Sequence, residues 1–137
     1  MKTEKRFDEW NESKKSLDTS VTQPFFHERE VRWYAAGENI GREISGKGER
    51  FSRPILIVRK YGKESFFGIP LSSKIHNGIW YADIIINGTK RTALLSQAGS
   101  FSAKRLFDKI DTIPIDEFEK IIEAFVCLIK KIFPNHF

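Results

Sequence analysis

Cysteine is almost missing from this chain: Cys127 is the single one in 137 residues. One thiol can form neither an internal disulfide nor a cysteine metal site, and it fits a reducing compartment, so a cytoplasmic location is expected. Histidine is sparse as well. His27, His76 and His136 are scattered with no His-x-x-x-His pair, and no Asp-rich loop stands in for them, so no metal and no cofactor are expected. Long apolar runs are lacking: none reaches the roughly 18 residues of a membrane span, and Met1-Lys2-Thr3-Glu4-Lys5-Arg6 leads into no signal-peptide core, which argues against a membrane role. The P-loop, the Gly-x-Ser-x-Gly elbow and the dinucleotide fingerprint do not occur, which removes most small-molecule cofactor enzymes. Internal repeats and low-complexity tracts are also missing.

What the chain has is positive charge in one place. The net charge is +5 with a pI near 9.4. Between Arg29 and Tyr61 stand eight Lys/Arg against four Glu, so +4 of the +5 lies in this segment. A basic stretch beside strands is the footprint of an anionic partner such as nucleic acid, although the same charge also serves solubility. The length suits one domain with enough core to fold without staples.

Phe7, Trp10 and Leu17 recur at helical spacing and predict a short amphipathic helix within residues 3–18. A linker through Pro24 follows, so residues 1–24 form an N-terminal appendage and residues 25–137 the main domain. From Phe25 the period changes to two. Strands are expected at Val31–Ala35, Pro54–Tyr61, Glu64–Leu71, Trp80–Ile86 and Thr89–Leu95, with a tight turn at Tyr61-Gly62-Lys63-Glu64 and a hairpin at Asn87-Gly88. Four or five antiparallel strands of this length suggest a small curved sheet or partly open barrel. Ala103 to Ile110 reads as one or two helical turns. A longer helix follows, with Asp116 as its cap, Glu119 completing a capping box, and Phe118, Ile121, Ile122, Phe125, Leu128, Ile129 and Ile132 as its buried stripe; Pro134 ends it. Cys127 lies beside that stripe and reads as a buried structural thiol.

The organising stretch is Gly41 to Pro54, a charged glycine-bearing loop that feeds the apolar run Ile55-Leu56-Ile57-Val58. Arg53 precedes a proline and is therefore biased to extended geometry at a strand's mouth. Glu43 in the loop, Arg53 at the strand start and Ser72-Ser73 after the next strand form a set able to cleave RNA without a metal. The RNA carries its own nucleophile in the 2′-hydroxyl, so the protein need only assist deprotonation, hold the phosphate and stabilise charge on its oxygens. A carboxylate can act as base, a guanidinium can offer parallel N–H bonds, and a hydroxyl can add one more. The same residues also read as an ordinary ion pair of Glu43 with Arg50 or Arg53 and a turn hydroxyl at Ser72.

Several ordered motifs carry a resemblance. They are Phe7-Asp8-Glu9-Trp10-Asn11; Arg29-Glu30-Val31-Arg32-Trp33; Gly37-Glu38-Asn39-Ile40-Gly41-Arg42-Glu43; Gly46 through Leu56; Ile69-Pro70-Leu71-Ser72-Ser73-Lys74; and Leu94-Leu95-Ser96-Gln97 followed by Lys104-Arg105-Leu106. In this order they resemble the MazF/PemK toxins of bacterial toxin–antitoxin pairs, in the longer form with an N-terminal helix. The resemblance implies a mainly β fold, an SH3-like small barrel with an N-terminal and a C-terminal helix. It also implies a homodimer, a cognate antitoxin protein as partner, and metal-independent cleavage of single-stranded RNA. Cleavage would leave 2′,3′-cyclic phosphate and 5′-hydroxyl ends.

Carried over by motif, the resemblance makes Arg53, Ser72 and Glu43 catalytic and sets Lys47, Arg50, Ser73, Lys74, Gln97 and Lys104 along the RNA. Where many relatives continue with an apolar residue, Arg and later Asp, this chain has Ala98-Gly99-Ser100-Phe101-Ser102. A cation is thus missing at Gly99, for which Arg91, Lys74 or Lys104 could substitute. The alternative is a member that no longer cuts and acts by binding RNA, or a gyrase-directed poison like the related CcdB branch, which would act on a DNA-bound target through the C-terminal end, Pro134–Phe137. Six strand aromatics (Trp33, Tyr34, Phe66, Phe67, Trp80, Tyr81) are more than one small barrel easily hides and add to the expectation of a dimer.

Overall fold

Residues 54–58 are apolar on both of their alternating sides, and this is explained by two separate cores lying against them. A computed structural model describes residues 25–35 and 52–130. The N-terminal helix and linker, the loop carrying Glu43, Lys47 and Arg50, and the C-terminal end with Ile132 and Pro134 lie outside the described residues.

Seven antiparallel strands are described: β1 (Glu30–Ala35), β2 (Ser52–Lys60), β3 (Ser65–Ser72), β4 (Tyr81–Ile86), β5 (Thr89–Leu94), β6 (Gly99–Ser102) and β7 (Leu106–Thr112), followed by helix α1 (Ile115–Lys130). The sheet order is β4-β5-β3-β2-β1-β7, with β6 also on β3. One edge of β3 pairs with β2 from Ile55↔Pro70 to Lys60↔Phe66. Its other edge is divided. Ser65–Gly68 pair with Ser102–Gly99 of β6, while Leu71 and Ser72 pair with Ala93 and Thr92 of β5. Pro70 falls in the gap between these partners, where a residue without an N–H breaks no rung on that edge. The result is the expected partly open barrel with a C-terminal helix.

The alternation along β2 places Leu56 in one core and Ile55 and Ile57 in the other. The first core joins Leu56, Ile69, Leu71, Ile84 and Ile113 to Ile121 of α1, with Phe118, Phe125 and Leu128 half-buried against it. The second packs Phe26 and Phe66 against Ile55, Ile57 and Leu106, with Tyr34 and Phe101 closing its rim. Phe66 stacks on Phe101 at 5.9 Å between ring centroids, and Tyr34 meets Phe101 edge-on at 5.2 Å. This second core absorbs Phe66 and Tyr34, two of the six aromatics that suggested a dimer. Phe67 packs on Phe125 of α1 at 5.6 Å and Tyr81 stacks on His76 at 4.6 Å, so Trp33 and Trp80 are the exposed ones.

Three readings need correction. Residues 106–112 are a strand and not helix: β7 pairs with β1 across Val31↔Asp111 and Tyr34↔Leu106, leaving only the 3-10 turn Ala103–Arg105 helical. Helix α1 begins at Ile115, one residue after Pro114, with Phe118 N donating to Pro114 O at 2.9 Å. Asp116 and Glu117 therefore sit in the first turn, where carboxylates favour the helix dipole, and Asp116 is not the cap. Ile129 is 63% exposed and lies off the buried stripe, while Cys127 is half-buried. The Asn87-Gly88 hairpin is as expected, with φ of 50° and 80° at the two residues.

Side-chain carboxylates secure both margins of the sheet. Asn87 N donates to Asp111 Oδ2 at 2.8 Å and Ile85 N to Glu117 Oε1 at 2.7 Å, which ties β4 to β7 and to α1. Glu30, 6% exposed, sits between His27 Nδ1 at 3.2 Å and Arg32 Nη1 at 3.1 Å, and Arg32 Nε continues to Phe107 O. Burial alone would raise the Glu30 pKa, but the hydrogen bonds from Arg32 and His27 outweigh it and hold the carboxyl below its ordinary value of 4.5.

Two outcomes are expected. A Cβ on Gly68 would stand 2.7 Å from Phe66 Cε2 and 3.0 Å from Ile55 Cδ1, both fully or nearly fully buried, so Gly68→Ala should lower the urea stability by about 1–3 kcal/mol. Gly62→Ala, with nothing within 4 Å, is the control and should change it by less than about 0.5 kcal/mol. For Glu30, the folded pKa lies below the unfolded one, so its contribution is present above about pH 4.5 and lost as pH falls through the folded value. Acid unfolding followed by circular dichroism should thus show a shallower pH dependence below that point in Glu30→Gln than in the parent.

Candidate functional site

Arg53 enters β2 directly before Pro54, and its extended backbone pairs it with Tyr34 of β1. Its guanidinium reaches across to β3, where Nη1 donates to Leu71 O at 3.0 Å. This bond anchors a fork whose geometry suits a phosphate or carboxylate. The side chain is half-buried, and desolvation pushes its pKa below the usual arginine value, so an anion arriving beside it would be held through a medium less polar than water.

Ser72 is the last residue of β3, next to Leu71 in the chain. Its Oγ accepts from Lys74 N at 3.1 Å, which fixes the turn out of the strand and leaves the hydroxyl proton to donate elsewhere. The turn hydroxyl and the hydrogen-bond donor are thus compatible roles of one side chain. Across the ladder Thr92 Oγ1 accepts from His76 N at 3.4 Å, so the segment after Ser72 is held at both ends.

Arg53, Ser72 and Ser73 line one cavity of about 190 Å³. Ser52 and Arg91 complete its polar side, and Trp33, Pro54, Leu71, Ile86 and Ile110 form its apolar wall. Among the described residues none of those lining it is acidic. Trp33 and Pro54 face each other across β1 and β2, and Trp33 remains 39% exposed.

The other candidates are distributed differently. Lys74 is exposed beside Ser73 and does not line the cavity. Gln97 is exposed in the 3-10 turn Leu95–Gln97, which replaces the strand its motif suggested, and it too is off the cavity wall. Lys104 belongs to the opposite end of β3, where Ala103 N donates to Glu64 O. By the rise of a strand it is on the order of 20 Å from Ser72, so it cannot share a nucleotide with it. Glu43, Lys47 and Arg50 lie outside the described residues. Arg91 and Trp33 were the residues the sequence under-read. The signal for Arg91 was its place in an alternating strand, opposite Ile84, and that signal appears only once the register is known.

Gly99 pairs with Gly68 in β6, and a Cβ there would meet nothing within 4 Å. Neither backbone conformation nor crowding requires glycine at this position. Among the described residues no group of three or more His, Cys, Asp or Glu converges as a metal site, and no helix is long and apolar enough to cross a membrane.

Scanned against models of protein families and against curated proteins, the sequence matches none. Solved structures do match. Toxin MazF-mt6 of Mycobacterium tuberculosis shares 10% sequence identity, with a TM-score of 0.51, over 58% of this chain and 87% of that one. An endoribonuclease from a mycobacterial species, solved in complex with its cognate antitoxin, shares 11% identity with a TM-score of 0.59, over 80% of this chain and 100% of that one. The chain therefore has the MazF-like toxin fold, at a sequence distance where the fold is what is shared.

The open space at Gly99 makes one substitution informative. Gly99→Arg should leave the urea stability within about 0.5 kcal/mol of the parent, because a half-buried strand position whose Cβ would meet nothing within 4 Å has room for a long side chain to reach solvent. A clear loss of stability would show that the glycine is needed by the fold itself.

Proposed function

We propose that this chain is a toxin endoribonuclease that cleaves single-stranded RNA. The observation that carries the reading is the placement of the Arg53 guanidinium and Ser72 on the wall of one cavity of a MazF-like fold. In the proposed reaction the RNA 2′-hydroxyl attacks the adjacent phosphorus while the 5′-oxygen of the next nucleotide leaves. The products are a 2′,3′-cyclic phosphate and a 5′-hydroxyl. Arg53 stabilises the charge that builds on the phosphate oxygens, anchored for this by Leu71 O, and Ser72 donates one further hydrogen bond. Glu43 takes the proton of the attacking hydroxyl as general base. The chemistry needs no metal because the substrate brings its nucleophile and the protein brings the cation.

The partners follow from the same reading. A solved structural neighbour is bound to its cognate antitoxin, which supports an antitoxin that covers this groove. Trp33 and Trp80, at 39% and 52% exposure, are the large aromatics left for an interface with a second copy or with RNA.

The test is cleavage of a fluorogenic single-stranded RNA in the presence of EDTA. The parent should cut it, and Arg53→Ala should be slower by about a hundredfold or more, as for removal of an oxyanion-stabilising donor. A substrate with a 2′-deoxy sugar at the cut position should resist. Cleavage of that deoxy substrate, or full activity in Arg53→Ala, would sink the mechanism. A toxicity that survives Arg53→Ala but vanishes when Pro134–Phe137 are removed would favour the gyrase-directed alternative.

A further inference from the structure

We infer that residues 3–18 lie as a helix, antiparallel to α1, along an apolar row of α1 that the two cores leave uncovered. This packing is separate from the proposed cleavage and does not depend on it.

Helix α1 has more apolar surface than the sheet uses. Phe118, Ile121, Ala124, Phe125 and Leu128 face the first core. Ile115, Ile122, Val126 and Ile129 belong to neither core among the described residues. At about 100° per residue these four gather in one row, on the order of 110° round the helix from Ile121. Ile115, Val126 and Ile129 are 61%, 38% and 63% exposed, and Ile122 is half-buried. Glu117, which accepts from Ile85 N of β4, is on the other flank of the core stripe, so the row looks away from β4. Large aliphatics scattered singly on a surface need no explanation, but a row of four along a 16-residue helix marks a place where something packs.

The preceding chain enters at the head of this helix. Ile113, two residues before α1, is bonded twice to Arg29: Ile113 N donates to Arg29 O and Arg29 Nη1 donates to Ile113 O, both at 2.9 Å. Phe25 stands four residues before Arg29, which sets it within roughly 20 Å of the start of α1. Residues 19–24 can span about the same distance. A helix that ends at Asp18 can thus arrive at the N-terminal end of α1, and if it lies on α1 it runs antiparallel to it. Residues 3–18 and α1 are both 16 residues long, about 24 Å as helices.

The two rows match in register. Along α1 stand Ile115, Glu119, Ile122, Val126 and Ile129, and along the segment read backwards stand Leu17, Lys14, Trp10, Phe7 and Thr3. Both follow the alternating three- and four-residue steps of a paired-helix seam. Set antiparallel, Leu17 meets Ile115, Trp10 meets Ile122 and Phe7 meets Val126. The single charged position in each row then falls opposite the other, Lys14 on Glu119, with unlike signs. A second copy of α1 laid antiparallel on this row would set Glu119 against an isoleucine, a valine or its own copy, with no cation to meet it, and would do so twice by symmetry. The row is therefore complementary to the segment and not to itself.

The test uses the full chain with Cys127→Ser, so that introduced cysteines are the only ones. Leu17→Cys with Ile115→Cys should close a disulfide on mild oxidation at the mass of one chain. Leu17→Cys with Ile129→Cys should not, because fourteen residues of helix would hold the two about 21 Å apart. Urea midpoints of the reduced variants show that each is folded. In the first pair, Lys14→Glu or Glu119→Lys alone should slow closure by about two- to fivefold, as for a partly exposed ion pair, and the two together should restore it. In the unsubstituted protein, the amides of residues 7–17 should exchange at least about tenfold more slowly than in a peptide of residues 1–24, since a helix of this length is marginal alone in water. Exchange as fast as in the peptide, equal bridging of both cysteine pairs, bridging of neither, or charge reversals that do not compensate each other would each overturn the inference. With Ile122→Cys as the only cysteine, a bridge between two chains would show that a second copy covers the row, and would overturn it as well.

Discussion

The divided outer edge of β3 is the constraint on which the rest of the structure depends. A strand that gives Ser65–Gly68 to β6 and Leu71–Ser72 to β5 has to turn between two partners, and the turn opens the sheet on one side. Gly68 lets Phe66 and Ile55 close over the strand before the turn, which seals the second core. Past the turn Leu71 carries both a core side chain and the carbonyl that anchors Arg53. The cavity is therefore a product of the barrel's corner, and its polar groups are held by backbone that the cores already fix.

The described charges fall into two sorts. Glu30, Arg32 and His27 satisfy one another and the carbonyls of Phe25 and Phe107, so that cluster binds β1 to its surroundings and offers little to a ligand. Arg53 and Arg91 line one cavity together with the hydroxyls of Ser52, Ser72 and Ser73, and no acidic side chain lines it among the described residues. Net charge could not have separated these sorts. The +5 of the chain is a statement about the average partner, whereas the arrangement around the cavity concerns which groups share one space.

How much was legible in the sequence depended on how local the signal was. The Asn87-Gly88 turn and the apolar run Ile55–Val58 are local, and both appear where the pattern put them. Helix formers at Ala103, Lys104, Arg105 and Leu106 suggested helix, but β7 gains its ladder from β1, some 75 residues away, and that pairing overrides propensity. Strand β6 is four residues with little character of its own, and it exists because Ser65–Gly68 needed a partner. Arg53 and Ser72 were found through motif order, while Arg91 required the register with Ile84. Lys104 shows the opposite failure: a basic residue in the right motif, carried to the far end of β3 by a connection whose path the motif does not encode.

The carboxylates on β4 have a wider meaning. An outermost strand presents a row of amides on which another chain can grow; Ile85 of β4 presents one and Asn87, in the turn just past its end, another. Glu117 and Asp111 accept both, so the template is occupied from within the molecule. At high local concentration, sheet-to-sheet growth is a route to fibres. Here that route is closed along this part of the β4 edge by two acidic side chains that accept its amides, and any self-association is left to side-chain surfaces, whose contacts can be made and undone.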